Sequence, residues 1–393
     1  MTISSKPERL GRTGRLQQTV PFECIALVLQ GGGALGAYQA GVYEALAEAS
    51  LHPDWVAGIS IGAINAALIA GNAPEVRVEK LRAFWQTVTA DPWADWFGPP
   101  SQFGGDLVRH WANQWHAVSA VLHGAAGFFA PRQVPAYFAL TGTADAISFY
   151  DTSALKTTLE RLVDFDRINA GEMRFSVGAV NVATGNLVYF DNRTHEIRPE
   201  HIIASGALPP AFAPVEIEGE YYWDGGVVSN TPLQWVVESA ERQDTLAFQV
   251  DLWSARGSIP RSLPEVMTRQ KEIQYSSRTR ARSDQFRKEQ QLRSALTELI
   301  SKLPEHLRDT PEYAVLAPES ERKVYNIIQL IYQSRRTEGD SKDFEFSAHS
   351  MDDHWAAGLS DTIRTLRHAE VLERPTSADG IFTFDIATNG RLS

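Results

Sequence analysis

The chain has 393 residues, 43% hydrophobic and 22% charged, with a net charge of −11. That length holds one large domain with an appendage, or two domains, and the composition is that of an ordinary soluble globular protein. The acidic balance argues against general nucleic-acid binding, and a single cysteine, Cys24, excludes an internal disulfide and a cysteine-based zinc cluster. Met1–Thr19 is polar and basic without an apolar h-region, so no secretory signal is expected. Residues 1–21 read as a flexible arm. With no window of about 18 uninterrupted apolar residues, no membrane span is expected either, and the cytoplasm is the expected compartment.

The chain is organised around Ile25–Gly62, two strand–turn–helix units in succession. Ile25–Leu29 is a short apolar run that suits a strand covered on both faces. Gly31, Gly32 and Gly33 follow, and then Leu35, Tyr38, Val42, Ala45 and Ala49 recur at helical spacing. Trp55–Ile59 reads as a second strand. It enters a further apolar helix through Gly58-Ile59-Ser60-Ile61-Gly62, a G-x-S-x-G turn. Such a turn makes a nucleophile elbow, whose flanking glycines allow a sharp bend that projects the Ser60 hydroxyl. Consecutive N–H groups in the Gly31–Gly33 loop, at the start of a helix, are the candidate oxyanion hole.

Further on, Val76–Val88 reads as a helix. Residues 91–150 are rich in aromatics, among them Trp93, Trp96, Trp111, Trp115, Phe128 and Phe129. This segment reads as an inserted helical subdomain burying its own aromatics, and also as a lid or acyl-chain pocket over Ser60. Thr152–Leu162 is a helix that Asp151-Thr152-Ser153 can cap; Arg174–Val182 and Asn186–Asp191 are strands. Ile202–Pro232, full of Pro, Gly and Ala, reads as a structured loop region with a short strand at Val215–Ile217, and Thr245–Val250 is another strand. After about residue 255 the composition changes. Leu263–Leu303 reads as one or two charged helices, Lys323–Ile331 as a strand, His354–Leu372 as a helix and Thr376–Ser393 as a tail. Between Arg269 and Arg293, eight basic residues (269, 271, 278, 280, 282, 287, 288, 293) face Glu272, Asp284 and Glu289. A solvated helix face is the ordinary use of such a run; contact with anionic headgroups or an acidic partner is the sharper one.

Three blocks together resemble the patatin-like phospholipases: G-x-G-x-x-G at Gly31–Gly36, G-x-S-x-G at Gly58–Gly62, and D-G-G at Asp224-Gly225-Gly226. Ala204–Phe212 and Asn230-Thr231-Pro232 are also similar to that family. The resemblance implies a three-layer α/β/α fold with a mostly parallel central sheet over residues 22–255, followed by a mixed α+β extension at 256–393. It further implies a Ser–Asp dyad, with Ser60 the nucleophile and Asp224 the base. Gly32 and Gly33 would supply oxyanion N–H groups, and Gly31 and Gly36 would shape that loop. The implied activity is hydrolysis of lipid acyl esters through an acyl-enzyme, with no metal or cofactor and with peripheral membrane contact. Alone, Asp224 ahead of two glycines would read as an Asx-turn residue.

Two departures stand out. Many members of the family carry an acidic residue where this chain has Gln30 and a basic one where it has Leu35, which weakens the case for a phosphate-bearing substrate. The extension resembles that of a bacterial subgroup often encoded beside a hydroxybutyrate dehydrogenase, which implies such a partner. A latent or non-catalytic subunit of a complex would carry the same residues. A dinucleotide-binding oxidoreductase fits less well: Asp54, the acidic candidate for the ribose, precedes the second strand instead of ending it. His195, His201, His349 and His354 form no metal-binding spacing.

Overall fold

The computed structural model describes residues 20–90, 118–239, 241–276, 279–320, 323–334, 341–376 and 380–385. Trp93, Trp96, Trp111 and Trp115 lie outside the described residues. The fold is a three-layer α/β/α architecture on a nine-stranded, mostly parallel sheet. In chain order β1 is Cys24–Leu29, β2 Trp55–Gly58, β3 Ala130–Pro131, β4 Tyr150–Asp151, β5 Arg174–Asn181, β6 Leu187–Asp191, β7 Val215–Ile217, β8 Glu220–Asp224, β9 Thr245–Asp251, β10 Tyr325–Ile331 and β11 Ile381–Asp385. The sheet runs β11-β10-β9-β1-β2-β5-β8-β7, with β6 also on β5, while β3 and β4 form a separate ribbon. Pairing is parallel from β11 to β5 and antiparallel where β5 meets β6 and β8.

β1 shows why its apolar run is unbroken. Ile25, Leu27 and Leu29 join one core cluster, while Cys24, Ala26 and Val28 join another. Alternate side chains of a strand point to opposite faces, so both faces are covered and every position must be apolar. Cys24 is buried, and burial pushes its thiol up to about 12.

The helices that matter for the site are α1 (Ala37–Glu48), α2 (Ile61–Ala70), α3 (Arg77–Val88), α4 (Pro199–Ser205), α5 (Leu263–Tyr275), α6 (Thr279–Ser301) and α7 (Ala348–Leu366). Several sequence expectations change here. The helix after the glycine loop begins later than Leu35, because Gly33–Gly36 forms a 3-10 turn first. The Ile202–Pro232 region holds a helix and strand that its Pro and Gly content concealed: α4 lies at its start and β8 before the D-G-G turn. The charged stretch after 263 is two helices, α5 and α6. The helix expected from His354 starts at Ala348, where the Ser347 hydroxyl accepts from the Ser350 N–H at 3.2 Å. It ends at Leu366, before a 3-10 turn at Ala369–Leu372.

The expected tail is corrected as well, since Ile381–Asp385 is a strand hydrogen-bonded along β10. Only Ile381 and Phe384 of this five-residue edge strand are buried, three positions apart and so on opposite faces, one in each core cluster, which leaves no apolar alternation to read. α7 lies against α1, where the Tyr38 hydroxyl donates to Asp361 at 3.0 Å and the Trp355 indole to Glu44. Phe346, Met351, Trp355 and Val371 belong to the same core as β1. Each such side chain contributes about 1.5–3 kcal/mol when fully buried; four of them rival the net stability of a domain. Residues after 255 are therefore bound into the main core.

Within the described part of the aromatic insertion, residues 118–123 are helical, 130–131 and 150–151 pair as the β3–β4 ribbon, and most of the rest is turns. Phe128 and Phe129 are buried against each other and against Tyr150 of the insertion, and also against Phe212 and Phe346 from elsewhere in the chain. Tyr137, Phe138 and Leu140 stand in solvent. Among the described residues no helix is long and apolar enough to cross a membrane.

Candidate active site

β1 and β2 are adjacent and parallel, so their C-terminal turns arrive side by side. A Cβ on Gly58 would lie 2.2 Å from the Gly62 carbonyl oxygen, and one on Gly62 would lie 2.3 Å from that of Leu29. Only glycine allows this bend to close, and it leaves Ser60 at φ 57°, ψ −125°, a strained position for a side chain. The backbone is held there by Ser205 of α4, whose carbonyl and hydroxyl oxygens both accept from the Ser60 N–H at 3.1 Å. Ser205 is held in turn by the Gly178 carbonyl of β5, 2.7 Å away.

Asp224 ends β8 and is 2% exposed. Its Oδ1 accepts from the Gly226 N–H at 2.7 Å, the Asx-turn bond that Asp-Gly-Gly suggests. The Ser60 side chain lies beside this carboxyl on the wall of one cavity and favours its charged form. Burial pushes this carboxyl up to about 7, although the Ser60 side chain and the Gly226 N–H pull the other way. Gly225 packs against the Gly178 carbonyl.

The glycine loop completes the constellation. The Gly31 N–H donates to the Asn230 carbonyl at 3.2 Å, the Ala34 N–H to the Asp343 carbonyl at 2.8 Å and the Leu35 N–H to the Gly32 carbonyl at 3.2 Å. The Gly32 and Gly33 N–H groups between them meet no acceptor among the described residues. Gly33, at φ 56°, adopts a conformation that favours glycine. The Gly31 carbonyl accepts from Asn230 Nδ2 at 2.9 Å and Trp253 Nε1 at 3.1 Å. Gly36 closes the turn, its carbonyl accepting from Asn65 at 3.0 Å.

Gln30 now has a physical account. It is fully buried; its Oε1 accepts from the Leu252 and Trp253 N–H groups at 2.6 and 3.0 Å. Its Nε2 donates to Thr231 Oγ1 at 3.0 Å and to the Tyr275 carbonyl at 3.1 Å. An amide can donate and accept at once, which a carboxylate cannot. Leu35 is buried in the core and does not face the cavity.

Ser60, Asp224 and Gly31–Gly33 line a cavity of about 270 Å³. Its walls are apolar and come from three parts of the chain: Phe128, Phe129 and Tyr150; Leu208 and Phe212; and Tyr275, Phe344 and Phe346. Its charged lining residues are Asp224 and Asp343.

A family model described as patatin-like phospholipase matches residues 27–236, more than half of the chain. The chain belongs to the patatin-like phospholipase family. A second model, described as patatin phospholipase, matches residues 273–378 of this family member. Human patatin-like phospholipase domain-containing protein 6 is 38% identical over 249 residues, 63% of this chain and 15% of that protein. Lysophospholipase NTE1 of Mycosarcoma maydis is 22% identical over 268 residues, 68% of this chain and 12% of that protein. Among solved structures, VipD from Legionella pneumophila is similar at a TM-score of 0.40 and 14% identity, covering 94% of this chain and 73% of that one. This patatin-like chain thus spans at most 15% of the length of those two curated relatives.

The fold brings Ser60, Asp224 and the glycine loop together. It also recruits residues that sequence reasoning did not single out. Ser205 and Asn230 stood inside quoted family-like stretches, so a signal existed for them. Tyr275, Asp343, Phe344 and Phe346 carried none, because their role depends on where the extension folds back. Asp54 sits away from the glycine turn and accepts from the Ile25 N–H at 2.9 Å. His201 is buried within the first turn of α4, and burial lowers its imidazole to about 4.

Proposed function

We propose that the protein hydrolyses acyl esters of lipids with a Ser60–Asp224 dyad. The observation that carries this reading is the convergence of a strained elbow serine, a buried aspartate of raised pKa and the Gly31–Gly33 loop on one apolar cavity. Asp224 takes the Ser60 proton as Oγ attacks the ester carbonyl, and the Gly32 and Gly33 N–H groups receive the oxyanion. The collapsing intermediate expels the alcohol, which takes the proton from Asp224, and leaves the acyl group on Ser60. Water then attacks, giving its proton to Asp224; the fatty acid leaves and Ser60 regains its hydrogen. A base poised near neutrality both takes and returns a proton readily.

The aromatic walls suit an acyl chain, each buried methylene contributing about 0.8 kcal/mol. Val121 and Tyr150, on the cavity wall, belong to the segment that exposes Tyr137 (87%), Phe138 (82%) and Leu140 (81%). Exposed apolar groups beside the cavity support contact with a lipid surface. The test is labelling by a fluorescent fluorophosphonate, with mass spectrometry to locate the adduct. Labelling of Ser60 that collapses in Asp224→Asn is expected; a folded protein that never labels, with or without lipid, overturns the hydrolase. Vesicle flotation, weakened by Tyr137→Ser with Phe138→Ser, tests the surface contact.

A further inference from the structure

The two N–H groups left open in the glycine loop are bracketed by two that are occupied, and the partner on the α1 side comes from residues after 255. Asp343 supplies the carbonyl that takes the Ala34 N–H at 2.8 Å. The fit is close: a Cβ on Gly33 would lie 2.1 Å from that same oxygen. The Asp343 side chain is gripped from α5 by Lys271, whose Nζ lies 3.1 and 2.9 Å from its two carboxylate oxygens and 4.3 Å above the Phe344 ring. Next along the strap, Lys342 bonds Glu272 of α5 at 2.9 Å, and Glu272 also holds Arg269 at 3.0 Å. The last residue of α5, Tyr275, offers its carbonyl to both Gln30 and Asn230, the residues flanking and holding Gly31.

We propose that Lys271 and Asp343 are positioning residues for the oxyanion loop, setting the Gly32 and Gly33 N–H groups through the strap at 341–346. This rests on the hydrolase reading above. Two physical effects converge. The ion pair fixes the strap and so fixes the acceptor of the Ala34 N–H, which leaves its neighbours aimed without rearrangement. It also neutralises a carboxylate that lines the same cavity as Ser60 and would otherwise oppose the negative charge of the intermediate. Three of the eight basic residues of this stretch are thereby explained as internal ties: Arg269 and Lys271 here, and Arg293, which pairs with Glu319 at 3.4 Å. The side chains of Arg278, Arg280 and Arg282 lie outside the described residues.

The test is steady-state hydrolysis of a soluble acyl ester, p-nitrophenyl butyrate, by wild type, Lys271→Met and Lys271→Arg, with thermal melts. In parallel, hydrogen exchange is followed in the peptide covering residues 30–37. Lys271→Met is expected to lower kcat about tenfold or more with KM within about twofold, the signature of a lost transition-state contact, in a protein that melts lower, since a buried carboxylate loses its cation, but is still folded at the assay temperature. Exchange in the loop peptide should rise, and Lys271→Arg should recover most of kcat. Unchanged kcat and exchange in Lys271→Met, or an effect on KM alone, overturns the proposal; so does an Arg variant that folds but is as slow as the Met variant. If Lys271→Met does not fold, Asp343→Asn is read by the same kcat and exchange criteria. Absence of Ser60-dependent turnover in the wild type would sink the hydrolase reading instead, and loop exchange would still decide the pair.

Discussion

Asp191 and Asp224 end two strands, β6 and β8, that both pair with β5, and each is 2% exposed. They sit towards opposite ends of β5, opposite Ser176 and Ala179. Asp191 shares its burial with a cation: Arg174 Nε donates to it at 2.9 Å while its guanidinium lies 3.6 Å from the Trp55 ring centre. Ser176 Oγ and the Arg193 N–H donate as well, at 2.8 and 3.0 Å. Asp224 accepts from a backbone amide, that of Gly226, with the neutral Ser60 side chain beside it and no cation paired with it among the described residues, and its carboxyl is driven up to about 7. Burial alone therefore does not make a carboxylate reactive. Asp191 is tied to a fixed cation within the sheet, whereas Asp224, without one, can exchange a proton near neutral pH.

The largest expected effect breaks the pair at its chemical member. Ser60→Ala and Asp224→Asn should each lower ester turnover by roughly 10³-fold or more, with circular dichroism unchanged. Residual activity above a few per cent in either variant would place the chemistry elsewhere. Next comes the pH profile. The proposed base role needs the charged form of Asp224, so kcat/KM should rise about tenfold per pH unit up to a midpoint near 7. A rising limb centred near 4 would mean that Asp224 titrates as an ordinary carboxyl.

Arg174→Met sharpens the comparison by making Asp191 resemble Asp224, buried without a cation. It should destabilise the protein by about 3–5 kcal/mol at pH 8, measured by urea unfolding. A loss below about 1 kcal/mol would mean that the pair adds little beyond what an exposed ion pair gives. The smallest effect is on stability at the other carboxylate. Asp224 has a folded pKa above its unfolded value, so its charged form destabilises the fold, and stability declines as pH rises between about 4 and 7. Asp224→Asn should raise the melting temperature by ~2 °C at pH 8 and by less at pH 5. An Asn variant that melts lower at pH 8 would show that the carboxylate carries native bonds stronger than its desolvation.

Much of the framework was legible because it rests on local rules. The runs at Ile25–Leu29, Trp55–Ile59 and Thr245–Val250 are apolar at successive positions, which a strand buried on both faces requires, and β1, β2 and β9 lie there. The elbow at Gly58–Gly62 and the loop at Gly31–Gly33 declared themselves through glycines whose need is steric and local. Strand β11 and helix α4 were not legible. One is a short edge strand with two buried residues, and the other begins at a proline that also suits a loop.

By itself, then, the sequence determined that a serine would project from a sharp turn beside a glycine-rich loop, because turn geometry depends on residues within a few positions. Tertiary structure alone decided what surrounds them. Asp224 lies far from Ser60 in the chain, and its burial, its neutral neighbours and its raised pKa come from how β8 docks on β5. Gln30 became a four-bonded tie only once Leu252, Trp253, Thr231 and Tyr275 converged on it. Asp343 reaches the Ala34 N–H across some three hundred residues of chain, a contact that no local pattern encodes, because side-chain and backbone partners at that separation are chosen by packing.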